Sequence, residues 1–291
     1  MARKPMPAAA PVMDEIDDGL VPAPMSNRPL YAALPAPPLS PISPIDLRGK
    51  PKLVMVPGPG NVGKTKVCRI LAEHSLDRET SELHTLDPLN RELLLYFAEA
   101  QDPPSRDRDV IDAYLDQLIA SLMANPGNVI IDFGGGDTSL PNLVRRMPDL
   151  EQRLADAGIS LVVLWPLGGR PEDLAPMNDL QGMGFWPKCT AVILNRIRFS
   201  RTESHQQEFQ MTLRNPVYKA AIDHGAVPIW LPYLANHKAV RDRHILFADA
   251  IAGRMPDGKP GLPLGPAQSL DVAAWWRETI AALAPIDRWL P

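Results

Sequence analysis

Gly58-Pro59-Gly60-Asn61-Val62-Gly63-Lys64-Thr65 is the stretch that decides how this chain is read. It spells Gly-x4-Gly-Lys-Thr. The apolar run Leu53-Val54-Met55-Val56 precedes it, and a pattern placing Val67, Ile70 and Leu71 on one side of a helix follows. Strand, glycine-rich loop and helix in that order are what a phosphate-binding loop requires. Glycines let backbone N–H groups approach a polyphosphate, and the N-terminus of the next helix favours its negative charge. Lys64 is expected to reach the β- and γ-phosphates, and the Thr65 hydroxyl to ligate Mg2+. The stretch points to a nucleoside triphosphate, with Gly58, Gly60, Asn61, Val62, Gly63, Lys64, Thr65 and Lys66 as the expected contacts.

From Lys52 onward, strand-like and helix-like runs alternate. Strands are expected over 52–56, 81–86, 128–132, 159–165, 189–195 and 226–231. Helices are expected over 90–100, 107–123, 138–157, 171–180, 204–223 and 236–253. The sharpest is 107–123, where Ile111, Tyr114, Leu115, Leu118, Ile119 and Leu122 recur at spacings of three and four. Ile159-Ser160-Leu161-Val162-Val163-Leu164-Trp165 is nearly continuous in apolar residues, as a parallel strand covered on both faces should be. The alternation predicts an α/β fold, a doubly wound and mostly parallel sheet with helices on both faces. Its ligand belongs at the carboxyl ends of the strands, where the loop lies. A last helix is expected over 270–290, with Ala273, Trp276, Ile280 and Leu283 on its inner stripe and Trp275 off it.

Residues 1–50 differ in kind. They hold eleven of the 33 prolines, which remove backbone donors and fix φ, so neither helix nor sheet can propagate. They are expected to form a disordered arm ahead of a single domain over 51–291, either a passive tail or a partner-binding segment using Leu30 and Tyr31.

Composition excludes several classes. A hydrophobic content of 45% with 22% charged residues describes a chain that can bury a real core. The net charge of −4 gives no global attraction to nucleic acid or anionic membrane. No apolar run reaches the roughly 18–20 residues of a membrane span. The start Met-Ala-Arg-Lys-Pro leads into no hydrophobic signal core, so a cytoplasmic location is expected. Cys68 and Cys189 lack metal or disulfide spacing and are expected to be buried free thiols. The six histidines form no ligand cluster, and His84 beside Asp87 is taken as incidental.

Two carboxylates complete the expected site. Asn128-Val129-Ile130-Ile131-Asp132 ends a strand in an acid placed to hold Mg2+ or its water, and Gly134-Gly135-Gly136 after it can approach the γ-phosphate. Thr85-Leu86-Asp87-Pro88-Leu89-Asn90 ends another strand in Asp87, read either as functional or as an ordinary turn before a helix capped by Asn90.

The loop Gly60-Asn61-Val62-Gly63-Lys64-Thr65, then Thr85 to Asn90, then Val129-Ile130-Ile131-Asp132, resemble in order and spacing the ParA/MinD-type P-loop ATPases of the SIMIBI class. The likeness is greatest to the StbB- and TraL-like proteins of plasmid stabilisation and conjugative transfer. Ala191-Val192-Ile193-Leu194-Asn195-Arg196 resembles the strand whose terminal Asn lies at adenine. Val227-Pro228-Ile229-Trp230-Leu231-Pro232 resembles the last strand and the turn beside the base. The resemblance covers roughly residues 52–253. It implies Asp87 as the group that positions water, Asp132 in the Mg2+ shell, and Asn195 and Pro232 at the base. It implies ATP hydrolysis with catalytic Lys64, Asp87 and Asp132, and metal contacts from Thr65, Asp87 and Asp132. Asn195-Arg196-Ile197-Arg198 lacks the guanine-reading Asn-Lys-x-Asp, so ATP is preferred over GTP.

One departure qualifies the resemblance. Pro59 stands where the family carries a lysine that reaches across a nucleotide-sandwich homodimer, and proline cannot supply that charge. Hydrolysis is therefore expected to be slow or stimulated by a partner. Beside the ATPase reading stand an ATP-binding adaptor without turnover, and a small-molecule phosphotransferase using Arg196, Arg198 and Arg201 as a lid. With Arg214 and Lys219 those arginines could instead meet DNA phosphates. A solvated face shared with Glu203 and Glu208 explains the charges equally well.

Overall fold

The computed structural model describes residues 35–75, 78–87, 90–198, 202–256, 259 and 261–291. Leu30, Tyr31, Pro88, Leu89 and Arg201 lie outside them. Six parallel strands form one sheet. They are β1 (Lys52–Val56), β2 (Glu82–Thr85), β3 (Val129–Asp132), β4 (Ser160–Leu167), β5 (Cys189–Asn195) and β6 (Val227–Leu231), in the order β2-β3-β1-β4-β5-β6. This is the α/β architecture of the P-loop NTPases, with the loop-bearing strand at the centre.

Side chains of β1 alternate between two cores. Val54 and Val56 face a layer that includes helix α1 (Lys64–Ser75) and the C-terminal helices, among them α9 (His237–Asp242), α10 (Phe247–Ala252) and α11 (Pro266–Leu283). Leu53 and Met55 face the opposite layer, which includes α2 (Arg108–Ala124), α3 (Ser139–Arg146), α4 (Leu150–Asp156), α5 (Ala175–Gly182) and α8 (Pro216–Asp223). A period of two on a strand whose two faces are both covered produces this division.

The helical segments differ from expectation where the chain turns. The span 90–100 contains only a 3-10 turn, Glu92–Leu95. The span 138–157 breaks into α3 and α4. The span 204–223 breaks into α6 (His205–Glu208), α7 (Gln210–Arg214) and α8. Asn215 caps α8 by accepting from Val217 N, and Pro216 then takes the first helical position, where its missing N–H costs nothing.

The inner stripe of α11 is also rotated from the expected one. It carries Ser269, Val272, Trp275, Thr279 and Leu283, so Trp275 is buried and Trp276 is only partly so. Facing inward, Trp275 packs on Phe247 and its Nε1 donates to Pro232 O at 3.1 Å, in the turn after β6. The helix ends at Leu283 and gives way to a 3-10 turn, Ala284–Trp289.

Part of the proline-rich segment belongs with the domain. Ser43 N donates to Pro285 O and Leu47 N to Arg288 O, and Leu47 is buried in the core. Ser40 Oγ donates to Pro228 O on β6, which covers part of an open sheet edge. Pro228 itself is tolerated because β6 is an edge strand. Cys68 and Cys189 are buried and free. Among the described residues, no helix is long and apolar enough to cross a membrane.

Candidate nucleotide site

The loop after β1 emerges between its two neighbours in the sheet, β3 and β4. Parallel register sets Val56 beside Asp132 and Thr85 beside Asp132, so three strands deliver their ends to one edge. Asn61 adopts φ 64° and Gly63 φ 88°, which turns the loop around its own backbone. A Cβ on Gly63 would sit 2.4 Å from the Asn195 amide nitrogen. Opposite the loop, a Cβ on Gly135 would lie 2.7 Å from Gly60 Cα, so the turn after β3 touches the phosphate loop backbone to backbone. Of the glycines after Asp132, this contact assigns Gly135 its place.

Thr65 Oγ1 donates to Asp132 Oδ2 at 2.7 Å, and Lys64 Nζ donates to Pro59 O at 2.7 Å. Burial pushes the Asp132 carboxyl up to about 7, against the Thr65 hydrogen bond and the charge of Lys64, which favour the carboxylate. Burial likewise lowers the Lys64 ammonium, opposed by Asp132 and Asp87. Asp132 Oδ1 is buried without a hydrogen-bond partner. An orphaned carboxylate oxygen beside a threonine hydroxyl is a donor set of the hard-oxygen type that Mg2+ takes. Thr65 and Asp132 fit the ion on this ground.

A cavity of about 550 Å³ opens above the loop. Gly60, Asn61, Gly63, Lys64, Thr65 and Lys66 line it, with Asp87, Asn195 and Gly135. Asp87 Oδ1 accepts from Asn90 N at 2.9 Å. Asn195 is fully buried; its amide donates to Val62 O at 2.7 Å and its carbonyl accepts from Lys66 Nζ. Both ends of Asn195 therefore hold the loop and α1. Pro232 precedes Tyr233 and Leu234, which line the cavity. Burial, joined by the charge of nearby Arg69, lowers Lys66 to about 7.

Arg69, Glu92, His237, Val240, Arg241 and Phe247 also line the cavity and are not among the expected contacts. For Arg69 a signal existed: it lies one helical turn from Lys66 on the same face. For residues of α9 and α10 none did, since they come from more than 160 positions away. Arg196 is tied to Glu208 at 3.1 Å and to Glu203 O at 2.7 Å. His84, taken as incidental, bonds Tyr114 OH at 2.8 Å. Among the described residues, no group of three or more His, Cys, Asp or Glu gathers as a metal cluster.

Behind Asn195 stands His205, 5% exposed, with Nε2 3.0 Å from Leu194 O and rings of Phe209 and Trp230 against it. The carbonyl requires Nε2 to carry a proton. Burial lowers this histidine to about 4, opposed by the Leu194 bond and aided by Arg196 and Lys66. Its folded value lies below the unfolded one of about 6.5, so its contribution is complete above 6.5 and is lost as pH falls toward 4. The ceiling is about 3 kcal/mol. Urea unfolding at pH 7.5 and pH 5 should show His205→Phe losing less stability on acidification than the unaltered chain. Equal losses would refute the assignment.

The fold and the loop together define a protein with the P-loop NTPase fold. Comparison with protein-family models gives no match, and comparison with curated proteins gives none either. Among solved structures the chain is similar to the 54 kDa signal recognition particle protein of Aeropyrum pernix K1 in complex with GDP. Identity there is 16%, over 62% of this chain and 41% of that one, with a TM-score of 0.36. It is similar to the cell division protein FtsY of Thermotoga maritima at 18% identity, over 65% and 61% of the two chains, with a TM-score of 0.38. It is also similar to the signal recognition particle receptor FtsY of Elizabethkingia anophelis at 14% identity, over 78% and 66%, with a TM-score of 0.41. The chain thus spans between about two fifths and two thirds of the length of these structures.

Proposed function

We propose that this chain is a Mg2+-dependent switch protein of the ParA/MinD type that binds and hydrolyses ATP, working in plasmid partition, stabilisation or conjugative transfer. The observation that carries the reading is the Thr65–Asp132 hydrogen bond beneath the loop, with Asp132 Oδ1 left for a further partner. It joins the helix that follows the loop to the strand end beside it, as Mg2+-dependent phosphate chemistry requires. Thr65 and Asp132 would hold the ion, which when bound supplies charge neutralisation at the phosphate oxygens. Lys64 would exchange Pro59 O for the β- and γ-phosphates. Asp87 would accept a hydrogen bond from the attacking water and orient it, and Gly135 N–H would face the γ-phosphate. Tyr233 and Leu234, after Pro232, would flank the base, with Asn195 holding the loop against it.

A second reading, an ATP-binding adaptor without turnover, is favoured by Pro59 and by the Asp87 carboxylate already capping Asn90. Purified protein with Mg-ATP separates the two. Slow phosphate release, rising with DNA or with protein concentration, is the expected result. ATP binding with no phosphate release under any of these conditions would sink the hydrolytic reading and leave the adaptor.

A further inference from the structure

Helix α1 carries Val67, Ile70 and Leu71 into the core, and turns Lys66 and Arg69 toward the cavity. Arg69 is only 5% exposed. Its guanidinium carbon lies 3.5 Å from the Tyr96 ring centroid and 4.2 Å from that of Phe247. Nη2 donates to Ile245 O at 2.9 Å, and Nε is buried with no partner. Glu73 stands 3.8 Å from the guanidinium, but its Oε2 is engaged by Ala248 N and burial pushes it up to about 7. Glu92, which lines the same cavity, is the other carboxylate whose charge acts on Arg69.

Lys66 is half-buried one turn away, bonded to the uncharged Asn195 and 5.9 Å from the Trp275 ring centroid. Among the described residues no ion pair involves it. Two cations on one helix face, both withdrawn from water and one of them, Lys66, without an ion pair among the described residues, oppose each other and carry a desolvation cost. An anion between them offsets both, and a guanidinium fork suits phosphoryl oxygens in particular. The wall they form is continuous with the phosphate loop.

We propose that Lys66 and Arg69 form a second anionic subsite, built within this chain, that holds a phosphoryl group of the bound nucleotide beside those cradled by the loop. The subsite rests on the nucleotide reading above. Where Lys64 and the loop amides serve the distal phosphates, this pair serves the one nearer the ribose. Its charge comes from the same protomer, so nucleotide affinity does not depend on a second copy.

Calorimetric titration of the full chain with Mg-ADP tests this, using Lys66→Met and Arg69→Met, which keep the apolar stems. Each is expected to weaken binding roughly tenfold and to flatten its salt dependence. Arg69→Lys should fall between Arg69→Met and the unaltered chain. Affinity should be the same at low and high protein concentration. If Arg69→Met fails to fold, Lys66→Met decides alone. Affinities within about twofold of the unaltered chain in the folded variants would overturn the subsite, whatever happens to stability. Affinity that climbs with protein concentration would overturn its single-chain character. Failure of the unaltered chain to bind Mg-ADP at about 1 mM would overturn the nucleotide reading itself, and the subsite with it.

Discussion

Lys64→Ala should lower Mg-ATP affinity by roughly a hundredfold while leaving the unfolding transition as cooperative as before. In the folded chain the ammonium is bonded to Pro59 O and drawn toward Asp132 and Asp87. Removing it breaks one hydrogen bond to a backbone carbonyl. The loop keeps the rest of its framework, because Asn195 still holds Val62 O and Thr65 still holds Asp132. The loss therefore falls on the ligand, whose distal phosphates would lose the cation that the loop holds at Pro59 O. Titration of the variant beside its circular dichroism melt checks both halves. ATP affinity retained within a few fold would overturn the nucleotide reading as a whole.

Asp87→Ala should separate binding from chemistry. Turnover is expected to fall by roughly a hundredfold, the scale of a positioned general base, with ATP affinity nearly unchanged. The competing account is structural: Asp87 Oδ1 accepts from Asn90 N, and its removal could misplace Asn90 and Glu92, which line the cavity. Asp87→Asn resolves this, because an amide oxygen can still accept from Asn90 N but cannot take charge or a proton. Turnover lost in both variants with binding kept assigns the carboxylate a chemical role. Full turnover in Asp87→Asn would make Asp87 a cap and nothing more.

The strands were legible because each is a short run whose apolar residues need cover on both sides, and all six lie within two residues of expectation at either end. The helical spans were legible only as amphipathic stretches. Nothing in the periodicity of 204–223 marks the breaks, which fall at Phe209 and at Asn215; at the second, the Asn215 side chain offers a cap that competes with helix continuation. The tail illustrates a different limit. Its apolar residues allow more than one inner stripe, and Trp275 is the one that packs against Phe247 and bonds Pro232 O, a partner 43 residues away.

Local order in the chain determined the phosphate loop, the helix that follows it, and Asp132 at a strand end. In these cases the chemistry and its support are neighbours along the backbone or on a single strand. Tertiary structure alone decided what faces the loop. It set Asp132 against Thr65, bound Asn195 to both Val62 and Lys66, and brought Gly135 within contact of Gly60. It also turned Arg69 from one more charged residue on a helix into a buried cation held between Tyr96 and Phe247. A helix fixes the direction of its side chains, but whether that direction meets water or a wall depends on segments far away in sequence. Here the C-terminal helices folding over α1 make that choice, and they make the outer stripe of α1 part of the cavity.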